Sequence, residues 1–404
     1  MNVAAISVTG HESTISIISN GKLVSNIIEE RLSGIKLDEH LFLAYHHLKK
    51  FHEDKGLDLI VLTNGTEQEF AEMNRVLKKY KLSSIQIIEE YDEHHLYHAA
   101  SGFYASGFDE AVVLVIDGWG ADYRIHKVME MSGISLSEED LEDAMNYQET
   151  MFLETTSVYH ASYPANFDLL HKQLLLPSPQ PRQFIESSLP IDFFEAISGN
   201  GKISVNSAYD IGIMYGTITH HLGWYREECG KTMGLAAYGK ENSELPPFIL
   251  EHNDVLFANM NLFHSNRIVN ITNYPEMIHK NDFQKKADIA YKIQKTTEYV
   301  ISKKVERILD EYPLTKNIIF SGGVALNICA NSIVKEKFPD INFFVDPIAG
   351  DLCQAYGASK YFYHKKSGSK EISPLETTYY GLEYNPKLMK TEIEYEVLKK
   401  TIGR

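Results

Sequence analysis

The stretch NIIFSGGVALNICANSIVKEKF, residues 317–338, reads as three pieces. NIIF is an apolar run of strand length, SGG is a turn that two glycines allow, and the remainder has helical spacing. Strand, Gly-rich turn and helix in that order bring backbone N–H groups and a helix N-terminus to one point, where an anion is favoured. The run lacks both a P-loop lysine and GxGxxG spacing, so a tight strand–helix turn without a ligand is the alternative. INFFVD (341–346) follows as a strand and PIAGDLCQAYGASKYFYHKK (347–366) as turn then helix. The chain opens on a related pattern, with VAAISV (3–8) and TISIIS (14–19) as strands around the turn TGHES (9–13). This echo predicts an α/β protein of two lobes, about residues 1–200 and 201–366, facing a cleft with ligand loops at strand ends.

Composition sets the outer bounds. The 404 residues suffice for two domains or one large two-lobed one, and 44% hydrophobic with 23% charged residues is ordinary for a globular protein. No apolar window reaches the ~20 residues of a membrane-spanning helix, and MNVAAISVTGHES lacks the basic and apolar regions of a signal peptide. No membrane partner is predicted. Three scattered cysteines (Cys229, Cys329, Cys353) without a CxxC suggest reduced thiols and a cytoplasmic setting. A net charge of −16 disfavours tight duplex binding but leaves a nucleotide or a flipped base open as substrate.

Between the two ends the pattern predicts a strand at 23–30, a helix at 40–53, a strand at 57–62, a helix at 67–80 and a strand at 84–89. A helix follows at 95–106 and a strand at 111–117. YRIHKVMEM (123–131) reads as a further strand in hairpin fashion, and 132–180 as less regular. ISVNSAYDIGIMYGTITHHLG (203–223) reads as a helix, REECGKTMGLAAYGK (226–240) as a glycine-bearing loop, and 285–312 as a long helix. The tail 367–404 has few periodic apolar residues.

The chemistry-bearing residues gather around HHLYHAASGF (94–103). His94 and His98 share a helix face at i, i+4 and can aim two imidazole nitrogens at one point. His95 points about 100° away on the helical wheel and is not read as a ligand. Asp117 ends the apolar strand AVVLVI, and Asp351 follows Gly350 at a strand-turn. Two histidines and two aspartates suit a mid-row divalent cation such as iron or zinc. Exposed helix-start histidines with a turn-forming aspartate are the alternative. IAGDL (348–352) alone reads equally as a helix cap, GKTMGLAAYGK (230–240) as a substrate loop or a surface loop, and VTGHES (8–13) as a simple turn.

Taken in order, VTGHES, EERLSGIK, HHLYHAASGF, VIDGWG, CGKTMGLAAYGK, SGGVALN and IAGDL resemble the O-carbamoyltransferase family over roughly residues 1–365. The resemblance implies a first domain of the two-lobed actin/Hsp70/sugar-kinase (ASKHA) fold over 1–366, akin to the tRNA threonylcarbamoyl transferase. It also implies metal ligands at His94, His98, Asp117 and Asp351, with Fe2+ ahead of Zn2+. A carbamoyl-adenylate or ATP site is implied at Gly322, Gly323, Val324 and Asn327, with Lys231 and Gly234 in the same cleft. His11 lies near the acyl phosphate and is the candidate base for the acceptor hydroxyl.

In such proteins a further domain, akin to threonylcarbamoyl-AMP synthase, makes the adenylate from carbamoyl phosphate and ATP. No counterpart of that domain is expected within these residues, and 367–404 resembles the connector to it, so either a separate adenylate-forming protein is the partner or another donor route is used. Glu12, Gly34 and Ala237 depart from the family pattern, which has Asp, Arg and Pro there. The expected acceptor is a small molecule, either sugar-like or a hydroxymethylated nucleobase or nucleotide; DNA is disfavoured by charge, and a homodimer is compatible. An inactive nucleotide-binding or regulatory relative is the competing class, and a plain sugar kinase the third.

Overall fold

A computed structural model describes residues 1–9, 12–35, 41–133, 151–175, 202–206, 210–252, 255–259, 263–264, 267–268 and 282–381. Five strands form the first sheet: β1 (Asn2–Thr9), β2 (Glu12–Ser19), β3 (Lys22–Ile28), β4 (Leu59–Thr63) and β5 (Gln86–Glu90). Their order is β3-β2-β1-β4-β5. The first three strands run antiparallel, while β4 and β5 continue parallel to β1. Asn20 and Gly21, both at positive φ, make the tight β2–β3 turn that the NGK signal predicts. Helices α1 (Glu29–Ser33), α2 (Phe42–Lys55) and α3 (Glu67–Lys79) complete this part.

The second sheet repeats that plan. Its strands are β6 (Glu110–Ile116), β7 (Asp122–Arg124), β8 (Met151–Ser162), β9 (Asn166–Leu175), β10 (Ile203–Asn206), β15 (Asn317–Ser321) and β16 (Asn342–Val345). Between them come the small hairpins β11–β12 (Ile249–His252, Val255–Ala258) and β13–β14 (Phe263–His264, Arg267–Ile268). The central order is β9-β8-β6-β15-β16, with β6, β8 and β9 antiparallel and β15 and β16 parallel to β6. The two halves thus share a five-strand topology, but the strand before SGG (β15) corresponds to β4 and not to the opening hairpin, whose counterpart is β6 and β8. Helices α5 (Ile125–Ser132), α6 (Ile211–His221), α7 (Cys229–Ala236), α8 (Phe283–Glu311) and α9 (Ile328–Lys337) belong to this half.

Two helices lie between the sheets: α4 (His94–Ser106) and α10 (Gln354–Ser367). Tyr97 and Ala105 of α4 pack with Ala355, Ala358 and Phe362 of α10 against Val3, Ala5 and Val61 of the first sheet. Ala99, Ala100 and Phe103 pack against Val113, Val115 and Ile319 of the second. Small residues make this approach feasible. A Cβ on Gly102 would lie 2.7 Å from Ile319 Cγ2, and one on Gly357 would lie 2.0 Å from the Tyr97 carbonyl oxygen.

Four segments differ from expectation. Residues 125–132 are helical, because Val128, Met129 and Ser132 line one buried face and Gly133 closes the end in the left-handed region. Residues 151–175 form a long hairpin whose alternation is disguised by a buried Glu154–Lys172 pair. Residues 203–206 add a strand, and the helix begins only at Ile211, where the Asp210 carboxylate caps it. Residues 229–236 are helical despite two glycines, since Thr232 and Ala236 are buried in the packed half. Within the described tail, Tyr380 O accepts from Asn26 N–H at 2.8 Å, and Lys360 Nζ donates to Ser373 O at 3.0 Å. No helix among the described residues is long and apolar enough to cross a membrane.

The close helix crossing gives a paired prediction. Gly357→Ala should destabilise the protein by about 1–3 kcal/mol or more through overpacking. Gly230→Ala, where an added Cβ meets nothing within 4 Å, should be neutral or stabilising by up to about 1 kcal/mol. Urea unfolding of both variants beside wild type measures the difference.

Candidate metal centre

Four side chains converge from three elements. His94 and His98 occupy the first turns of α4, Asp117 follows the last residue of β6, and Asp351 opens the short 3-10 turn ahead of α10. One ligand atom from each lies within 4.8 Å of all the others. His94 Nε2 is 3.1 Å from Asp117 Oδ2 and 3.5 Å from Asp351 Oδ1. His98 Nε2 is 3.5 Å from the same Asp117 oxygen, 3.4 Å from Asp351 Oδ1 and 3.1 Å from His94 Nε2. His98 is wholly buried; His94 and Asp117 are nearly so.

The electrostatics follow from that crowding. Burial opposes a charged His94, but hydrogen bonds to Asp117 and Asp351 outweigh it and push its pKa up to about 9. His98 is raised well above its ordinary value against the same burial, by Cys353 and the two aspartates. Burial likewise opposes ionisation of Asp117 and Asp351, yet the histidines hold both carboxyls below the usual range. A cradle that grips a proton so firmly presents two imidazole nitrogens and two carboxylates to one point. That donor set fits a divalent cation taking N and O ligands.

Groups behind the ligands fix their orientation. Asp117 Oδ1 accepts from Gly118 N–H at 2.8 Å and Gly323 N–H at 3.1 Å, which leaves Oδ2 towards the histidines. His98 Nδ1 meets Cys353 Sγ at 3.1 Å, and burial pushes that thiol's pKa up. The two glycines of SGG allow the contact with Asp117. Gly322 has φ 90°, and a Cβ there would strike Ile116 O at 2.4 Å; a Cβ on Gly323 would lie 2.7 Å from Asp117 Oδ1. The turn reaches a ligand of the quartet directly.

The other predicted positions are more dispersed. Val324 lies in the 3-10 turn Gly323–Leu326. Asn327 Oδ1 caps α9 at Ala330 N–H (3.0 Å), and its amide pairs reciprocally with Gln294 of α8. Lys231 and Gly234 sit on α7, where exposed Lys231 pairs with Glu228 at 2.6 Å. His11 lies outside the described residues. His95 is excluded from the quartet: its Nδ1 faces Ser157 Oγ at 2.9 Å, and burial pushes its pKa down to about 3.

A second buried cluster escaped the reading of the sequence. Glu154 accepts from His95 N–H at 3.3 Å and Ala121 N–H at 3.2 Å, so one carboxylate grips both the start of α4 and the loop after Asp117. Lys172 lies against it and also donates to Tyr123 Oη at 2.9 Å. Burial disfavours the Lys172 charge, but Glu154 holds its pKa well above the usual range. A lone glutamate inside the β-prone run FLETTSVYH is the signal that points to it.

A sequence profile of the carbamoyltransferase N-terminus matches residues 48–360. An uncharacterized protein of Synechocystis sp. is 23% identical over 452 aligned residues, covering 97% of this chain and 62% of the relative. An uncharacterized protein of Methanocaldococcus jannaschii is 22% identical over 343 residues, covering 82% of this chain and 46% of the relative. The chain therefore spans less than two-thirds of the length of these curated relatives. Among solved structures, full-length HypF in its phosphate- and nucleotide-bound form superposes with a TM-score of 0.51 at 13% identity, covering 91% of this chain and 56% of that one. Likeness at that level speaks for the fold alone, which is α/β and of the two-lobed actin/Hsp70/sugar-kinase type.

A metal held by the quartet would compete with its protons. The rise of His94 from 6.5 to about 9 stabilises the metal-free fold below pH 6.5, and that contribution is lost as pH climbs through about 9. Zinc affinity of metal-stripped protein should therefore rise with pH, about tenfold per unit for each proton displaced. The share of that dependence due to His94 should end above about 9. Calorimetric titration in buffers of different ionisation enthalpy measures the protons released. A flat pH profile, or undiminished binding by a His98→Ala, Asp117→Ala double variant, would remove the quartet as the ligand set.

Proposed function

We propose, from the premise that this chain belongs to the carbamoyltransferase family, that it transfers a carbamoyl group from carbamoyl adenylate to an acceptor hydroxyl. The observation that carries this reading is the joining of the quartet to the SGG turn through Gly323 N–H and Asp117. A predicted cation site and a predicted anion turn thereby become neighbours. Carbamoyl adenylate, a mixed anhydride with a carbonyl beside a phosphate, suits such a pair.

His94, His98, Asp117 and Asp351 would hold the divalent cation, iron first and zinc second. When bound, that cation supplies Lewis-acid polarisation of the donor's oxygens. The amides of the turn around Gly322 and Val324 would stabilise the charge that grows on the departing phosphate. The acceptor oxygen bonds to the carbamoyl carbon, the bond from that carbon to the phosphate oxygen breaks, and AMP leaves with the electron pair. We assign the hydroxyl proton to His11 as the candidate general base. Asn327, Lys231 and Gly234 would complete the adenylate site.

The adenylate itself would come from carbamoyl phosphate and ATP. The acceptor class is a sugar-like molecule or a hydroxymethylated nucleobase or nucleotide, with the net charge of −16 set against a polyanionic duplex. Free Cys229, Cys329 and Cys353 suit a reducing, cytoplasmic setting.

The test supplies metal-loaded protein with carbamoyl adenylate, made in situ by a separate adenylate-forming enzyme, and a panel of sugar and nucleoside acceptors. Mass spectrometry should find carbamoylated product. His98→Ala should abolish it, and His11→Asn should lower the rate about 10²–10⁴-fold. Binding of metal and nucleotide without product from any acceptor would favour an inactive, nucleotide-sensing member of the fold.

A further inference from the structure

The loop that follows Asp117 is pinned along its length. Asp117 N–H donates to Thr155 O at 3.0 Å and Gly120 N–H to Glu154 O at 2.8 Å. Gly118 and Ala121 N–H engage the Asp117 and Glu154 carboxylates. From the other side Gly212 of α6 presses on the loop so closely that a Cβ there would lie 2.5 Å from Asp117 O. One large side chain projects from this frame. Trp119 is 56% exposed, and its indole N–H donates to Asp122 Oδ1 at 2.9 Å. The ring is therefore held in orientation by a rigid loop, yet its apolar surface is left to water, two residues from a predicted metal ligand.

An exposed, oriented indole beside a reaction centre offers a stacking face for a ring. Its N–H is engaged by the Asp122 carboxylate. The face suits an uncharged or cationic ring and repels an anionic one. We propose that Trp119 is the platform for the acceptor of the transfer reaction: a ring-bearing hydroxyl compound, nucleoside or sugar, lies on the indole with its hydroxyl directed to the quartet. This deepens the carbamoyl-transfer reading and rests on it. Trp119 is a specificity-determining residue, not a ligand or a base.

Only two tryptophans occur in the chain, Trp119 and Trp224, which gives a direct probe. In a Trp224→Phe background, zinc-loaded protein is titrated with 5-hydroxymethyl-2′-deoxycytidine and with methyl α-glucopyranoside while Trp119 emission is followed. A nucleoside stacked on the indole should quench it saturably; a sugar should shift the emission with little quenching. For whichever compound binds, calorimetry should show Trp119→Ala weakening affinity about tenfold or more, and Trp119→Phe retaining most of it. Zinc content and unfolding midpoint should stay unchanged.

Where transfer is detected, Trp119→Ala should raise KM for the acceptor while donor breakdown without acceptor is unaltered. No saturable change with either probe overturns the platform, as does an unchanged acceptor KM in Trp119→Ala. Saturable binding with no carbamoyl product leaves the platform standing and sinks the transfer reading instead.

Discussion

Helix α4 has almost no face to water. Its residues from His94 to Ala105, Leu96 apart, are buried between two sheets, and two of the four predicted metal ligands ride on it. A helix placed there must be thin on both sides, hence Ala99, Ala100, Ser101 and Gly102 in succession. It must also be met by a thin partner, hence Gly357 on α10 at the Tyr97 carbonyl. Close packing of this kind leaves the helix little room to rotate. The aim of His94 and His98 is consequently a property of the whole interior, and Asp351, at the foot of α10, is carried on the same packing.

Burying ionisable groups is unfavourable unless each meets a partner. The two clusters near the start of α4 solve this differently. Glu154 and Lys172 neutralise each other, and Tyr123, Ser157 and the amides of His95 and Ala121 occupy the remaining oxygens. That cluster asks for nothing from outside. In the quartet, neutral imidazoles would leave two carboxylates against each other, so positive charge must be brought in. A proton on the histidines serves in the metal-free protein, and a divalent cation is the larger charge with the matching donor count. The inequality between the two clusters is the physical reason for placing chemistry at one and a clamp at the other.

The sequence was most readable where a local pattern and the tertiary demand agree. Histidines four apart at the start of a small-residue helix, an aspartate ending a run of β-branched residues, and paired glycines after NIIF each advertise a constraint the fold imposes. It was least readable where long-range pairing hides the local signal. Glu154 and Lys172 make a buried strand and its half-buried partner look polar, and the glycines of α7 make a packed helix look like a loop. Of the strand expected over 123–131 only the start is found, in β7; from Ile125 on, burial of Val128 and Met129 together decides for the helix. Asn327 was legible as part of the turn, but its work as cap and as partner of Gln294 depends on a helix distant in the chain.

The duplicated sheet explains why the quartet and the SGG turn meet at all. In each half the first and fourth strands are parallel neighbours, so the loops leaving them emerge side by side. The register in the second sheet pairs Val115 with Ser321. Two residues further along each strand stand Asp117 and Gly323, the carboxylate and the N–H that bond across. The first sheet pairs Ser7 with Thr63, and there the amide of Asn64, at positive φ, reaches Ser7 Oγ at 3.1 Å. The same crossing point therefore exists twice, but only the second copy lies against a helix bearing two inward histidines. One strand register, repeated by the topology and loaded differently by the side chains, is enough to set the candidate metal quartet beside the glycine turn.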